Sequence, residues 1–135
     1  MKIAKKYPPN IEDIRAVLTP SKGTVFTYGD TVYAPDLEED EMPEHLAVHE
    51  NVHGRQQKDP EKWWNQYLMD EKFRLEQELE AYGEQWAFIN QQRIKNPIKK
   101  LILFSLARDL SGPLYGNMLS HGEAESKIRN AAKTI

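Results

Sequence analysis

Cysteine is absent from the 135 residues, which excludes a disulfide framework and any thiolate metal site. A metal ion would have to be held by His, Asp or Glu, and there are only four histidines. Long apolar runs are missing as well. The most apolar stretch, Ile98 to Ala107, contains Lys99 and Lys100 and falls far short of a bilayer span. Met1-Lys2-Ile3-Ala4-Lys5-Lys6 carries charge with no hydrophobic segment behind it, unlike a secretory signal. A cytoplasmic protein is therefore expected, with no membrane partner. The net charge of −3 lacks the basic excess of a nucleic-acid binder. The cluster Arg93, Lys95, Lys99 and Lys100 reads as a solvated face. With 39% hydrophobic and 29% charged residues, the chain suits one globular domain over residues 1–135.

What is present divides into a short β region and a series of helices. Asn10 reads as an N-cap, followed by Ile11, Ile14, Val17 and Leu18 at helical spacing. Thr19-Pro20-Ser21-Lys22-Gly23 ends that helix. Thr24 to Tyr28 and Thr31 to Ala34 are β-branched and aromatic, and Gly29-Asp30 between them predicts a tight hairpin. Six of the nine residues from Asp36 to Glu44 are acidic (Asp36, Glu38, Glu39, Asp40, Glu41, Glu44). They read as a solvated loop whose later charges favour the next helix start, or alternatively as a rim attracting basic substrates. Helices are predicted from Pro43 to Gln57, from Asp59-Pro60 to Ile89 with a break near Asp70, and from Pro97 to Leu110. Ser111 to Asn117 is turn-rich, and Ser120 with Glu123 forms a capping box that opens the last helix. The fold class is α+β and mostly helical.

Within the helix from Pro43 lies His49-Glu50-Asn51-Val52-His53, an HExxH motif. Residues four apart share a helix face, so both imidazoles can address one ion. Glu50 can then reach a water on that ion and act as general base, the arrangement of zinc proteases. A catalytic zinc needs a third protein ligand. His45 shares the face, but it lies roughly 12 Å along the axis from His53 and is too distant to join both histidines. His121 has no spacing that marks it as a ligand. On the long helix, Leu75, Leu79, Tyr82, Trp86 and Ile89 define an apolar stripe about 80° wide. Glu78 falls at its edge, and Glu71 lies on it. Either carboxylate would need a partner to offset its desolvation, whether a metal or a salt bridge.

His49 to His53, followed by Glu78-Leu79-Glu80-Ala81-Tyr82, resembles the gluzincin pattern of HExxH and a downstream Glu-x-x-Ala-(Asp/Asn). The resemblance implies Glu78, over Glu71, as the third zinc ligand. It also implies a minimal zincin-like build: a small N-terminal β-hairpin or sheet packed on the HExxH helix and on a second, glutamate-bearing helix. The strand Thr31 to Ala34 would then align an extended substrate. Tyr82 departs from the pattern, standing where many gluzincins have the Asp or Asn that bonds a ligand histidine. The compact chain and its Gly112-Pro113-Leu114-Tyr115-Gly116-Asn117 loop are similar to small phage-encoded metallopeptidases.

The expected activity is zinc-dependent hydrolysis of an amide bond, with Glu50 moving the proton and Tyr115 or His121 as the donor to the oxyanion. Tyr115 also reads as a packing residue and His121 as a first-turn helix residue. Trp63, Trp64, Tyr67 and Trp86 read as core more readily than as a substrate groove. A protein, a peptide or a peptidoglycan crosslink would each present the amide, and no oligomeric state is indicated. The alternatives are an inactive metal-binding domain and a helical protein-interaction domain whose motif is accidental.

Overall fold

The β-branched and aromatic residues around Gly29 fold as read, but with three strands. In the computed structural model, which describes residues 1–135 except for the side chain of Glu39, β2 (Phe26–Tyr28) and β3 (Thr31–Tyr33) form an antiparallel hairpin. Gly29 has φ +64 while Asp30 stays negative, the turn that takes glycine at its first central position. The third strand, β1 (Lys2–Ala4), pairs in parallel with β3, giving the order β1-β3-β2. Val32, on the central strand, is fully buried.

Six helices follow the expected punctuation closely. The first, α1 (Ile11–Val17), buries Ile14, and Leu18 just beyond it is buried too. Asn10 does not cap it: its amide makes no bond to the helix and lies buried without a partner. The motif helix α2 spans Glu44–Gln56. Asp59 caps α3 (Pro60–Met69) by accepting from the Lys62 N–H at 3.2 Å. The break at Asp70 is real. Its N–H closes the last turn of α3 onto Gln66, while its carboxylate caps α4 (Glu71–Gln91) at the Phe73 N–H. Next come α5 (Asn96–Leu110) and a single 3-10 turn at Pro113–Tyr115. The Ser120–Glu123 capping box then opens α6 (His121–Ala132).

The acidic segment forms a 3-10 turn at Glu39–Glu41, in which Glu38 and Glu41 cap each other's backbone. Glu38 pairs with Lys5, and Asp36 accepts from the Gly23 N–H. The Glu39 side chain lies outside the described residues.

The core sits where α3, α4, α5 and α6 meet, around Trp63, Tyr67, Trp86, Leu103 and Ile128. α4 is the centre of this arrangement, with α2 on one side and α6 on another. At Gly83 the approach of α6 is so close that a Cβ would lie 2.9 Å from the Cβ of Ala131. The buried stripe of α4 runs through Arg74, Glu78, Ala81, Tyr82, Gln85 and Ile89. Leu75 and Leu79, which the periodicity counts in the stripe, are only half-buried flanks. Glu78 is thus central to the inner face and not at its edge, and Glu71 is exposed in the first turn.

Candidate metal centre

One turn of α2 separates His49 from His53, and their rings meet edge to face with centroids 4.8 Å apart. Their Nε2 atoms lie 3.2 Å from each other. The opposite nitrogens are held by amides. His53 Nδ1 is 2.8 Å from Gln56 Oε1, and His49 Nδ1 is 2.9 Å from Gln85 Oε1. Gln56 Nε2 donates to the Gln77 carbonyl and to the Glu80 carboxylate, so its oxygen must face His53. Gln85 Nε2 likewise donates to Nδ1 of His45. Each histidine of the pair therefore carries a proton on Nδ1 and turns Nε2 toward the shared site.

Both Nε2 atoms face one carboxylate. Glu78 Oε1 is 3.3 Å from His49 Nε2, and Oε2 is 3.2 Å from His53 Nε2. Oε2 also accepts from the Tyr67 hydroxyl at 2.6 Å, while Oε1, fully buried, has no hydrogen-bond partner. In a tetrahedral site with ligand bonds of about 2.0–2.1 Å, donor atoms stand about 3.3–3.4 Å apart. The Nε2–Nε2 separation and the two Nε2–carboxylate separations, the latter to different oxygens of Glu78, fall near that spacing, and the partnerless oxygen suits a cation. His49, Glu50 and His53 also form a buried group whose donor atoms lie within 4.8 Å of one another. Two carboxylates thus compete for the third position. Glu78 lies closer, since Glu50 Oε2 is 3.7 Å from His49 Nε2 and its Oε1 is engaged by the Thr27 hydroxyl at 2.9 Å.

Charge organises the site. Burial alone pulls the His53 imidazole down, but the Glu78 carboxylate beside it, with its hydrogen bond, pushes it up to about 9. Burial raises Glu78, and the opposing pull of the His53 charge, with the two imidazoles set against the carboxylate, holds it well below the usual carboxylate range. A positive charge, proton or metal, belongs between these groups. Burial first, then the Glu78 charge, lifts Tyr67, Tyr82 and Tyr115, so all three stay protonated.

The surrounding residues divide clearly. Tyr82 stacks edge-on against His49 at 4.4 Å, and its hydroxyl is 2.9 Å from that of Tyr115. The Tyr115 carbonyl accepts from Arg74, whose guanidinium also ties the Tyr67 and Leu68 carbonyls. Tyr115 lines a cleft of about 560 Å³ together with His49, Glu50 and Tyr82. His121 is elsewhere: its Nε2 lies 3.2 Å from the Phe104 carbonyl and its ring against Phe104. It lines neither cavity that His49 and Glu50 share. His45 touches the centre only through Gln85.

Gln85 takes the place that Tyr82 leaves unfilled in the gluzincin-like pattern. It lies seven residues after Glu78, two turns along the same face, a spacing that could have revealed it. Gln56 follows His53 by three and carries a similar signal. Tyr67 and Thr27 arrive from other elements and have none.

Two predictions follow from these contacts. Gln85→Leu and Gln56→Leu should each weaken zinc binding about 10- to 100-fold, measured by competition with a chromophoric chelator. Unchanged affinity would show that the amides do not orient the rings. In chelator-treated protein, the His53 contribution to stability is complete below its ordinary 6.5 and disappears as pH rises through 9. That of Glu78 is complete above its ordinary 4.5 and disappears as pH falls. Urea unfolding should thus find the metal-free chain most stable between about pH 4.5 and 6.5, and a profile flat from pH 6 to 9 would contradict the ion pair. In comparisons with known proteins, no family model, no curated protein and no solved structure matches this chain, so the gluzincin resemblance rests on its own residues.

Proposed function

We propose that the chain is a zinc metallopeptidase of gluzincin-like design, with His49, His53 and Glu78 as ligands and Glu50 as general base. The observation that carries this reading is one buried cluster in which two Nε2 atoms face the Glu78 carboxylate, one oxygen of it without a partner, beside Glu50. Zinc held there would supply a Lewis acid that polarises a water molecule and the scissile carbonyl.

The remaining roles belong to the protein. Thr27 fixes Glu50 Oε1, which leaves Oε2 turned toward the histidines. From there Glu50 takes a proton from the attacking water and passes it to the amine nitrogen as the C–N bond breaks. Tyr115 is positioned to donate to the carbonyl oxygen as negative charge develops. It keeps its proton, lines the cleft, and can accept from Tyr82 while donating outward. An extended substrate would lie along β2 and not along the strand from Thr31. β3 is paired on both edges, whereas Thr27 of β2 touches Glu50, and Val25 just before it lines both cavities. Since the Thr27 carbonyl already accepts from Gln57 and Trp64, pairing with substrate would fall to residues before it.

The test is turnover of a quenched-fluorescent peptide library by zinc-loaded protein. Glu50→Gln should keep its zinc and lose activity by about 10²–10⁴, and Tyr115→Phe should lower kcat by about 10²–10³ with zinc retained. Activity unaffected by Glu50→Gln would leave a metal-binding domain without this chemistry.

A further inference from the structure

The helix α5 is apolar on two opposite sides. Its inner face buries Leu103, Leu106, Ala107 and Leu110 against the core. Its outer face carries Ile98, Leu101 and Phe104, which are 48%, 67% and 55% exposed. Their spacing of three residues sets them along one ridge. A surface helix ordinarily turns polar residues outward, so an apolar outer face marks a place where something docks.

The surrounding charge identifies the partner. Between Glu84 and Asp109 the chain has no acidic residue, while Arg93, Lys95, Lys99, Lys100 and Arg108 all fall in this span. Elsewhere the chain is rich in acid, and its net charge is −3. The acids of α6, which packs against α5, are engaged: Glu123 in its own capping box and Glu125 with Arg129. A second copy of the chain would set cations against cations. An anionic surface would meet both the charge and the apolar ridge. Ile98, Leu101 and Phe104 line neither cavity of the site, so they offer a ridge and not a groove for a partner helix.

We infer that the outer face of α5 is a docking surface for an anionic lipid bilayer, with Ile98, Leu101 and Phe104 entering the interface and the exposed Arg93, Lys95, Lys100 and Arg108 meeting the headgroups. No helix is long and apolar enough to cross a membrane, and docking of this kind needs none. The reading of Arg93 to Lys100 as a merely solvated face omits the three side chains between and beyond those charges. Leu106, Arg108 and Asp109 of the same helix line the 560 Å³ cleft with His49 and Glu50. The same helix thus borders the cleft and carries the docking ridge. The surface does not depend on the metal centre, and its test requires no turnover.

Flotation of the purified chain with vesicles provides that test. Binding is expected to phosphatidylcholine vesicles containing phosphatidylglycerol, not to phosphatidylcholine alone, and to fall as salt is raised. Lys95→Gln and Lys100→Gln should each weaken binding about fivefold. Leu101→Glu should weaken it at least about tenfold with thermal unfolding unchanged, because the side chain is exposed. Arg15→Gln, on α1, should have no effect. Failure to float with anionic vesicles overturns the proposal, as does equal binding to both vesicle types. A dimer in sedimentation that Leu101→Glu converts to monomer would overturn it too, assigning the ridge to a second copy.

Discussion

A carboxylate with only 2% of its surface exposed sets the terms for this structure. Glu78 cannot be hydrated where it sits, and a buried charge costs several kcal/mol unless it is paired and hydrogen-bonded. The pairing comes from two imidazoles on α2, and one hydrogen bond comes from Tyr67 on α3. Three helices are thereby held in register by one polar cluster. Arg74, one turn before Glu78, repeats the pattern by binding three carbonyls from α3 and the Pro113–Tyr115 turn. The middle of α4 is polar where a bundle helix is usually apolar, and the leucines are displaced to its sides.

That displacement has a chemical consequence. Polar groups at the centre of a core must be satisfied, and they are satisfied in directions that leave donor atoms aimed at one point. Gln56 and Gln85 fix both imidazole tautomers, and Thr27 holds one oxygen of Glu50. Only Glu78 Oε1 among this group is left without a partner. Of the buried side-chain atoms without a partner among the described residues, those of Asn10 lie beside α1 and Glu78 Oε1 alone lies where a cation would use it. No Lys or Arg is paired with the carboxylate among the described residues, and its charged partners are the imidazoles.

Local signals in the sequence were readable wherever one residue type has one job. Asp59, Asp70 and the Ser120–Glu123 pair mark helix starts in the structure as they do in the sequence. Gly29 marks the hairpin because its positive φ favours glycine. The HExxH face was legible because both histidines belong to one helix. What depends on distant partners was not. Lys2-Ile3-Ala4 is too short and too charged to announce a strand, and it becomes one only through β3. Asn10 stands at the N-cap position but its amide, buried without a partner, bonds no helix N–H. His121 offered an imidazole, but α6 places it against Phe104. Glu78 was drawn to the edge of its stripe because periodicity weighs apolar residues and cannot see that this core is organised around polar ones.

The claim on which all of this rests is that His49, His53 and Glu78 hold one ion. Elemental analysis of protein purified without added zinc, compared with Glu78→Gln, tests it most directly. The account predicts about one zinc per chain in the natural sequence and its loss or sharp weakening in the variant. No metal in the natural chain, even after zinc is supplied, would contradict it and leave the buried cluster as a proton-bridged structural ion pair.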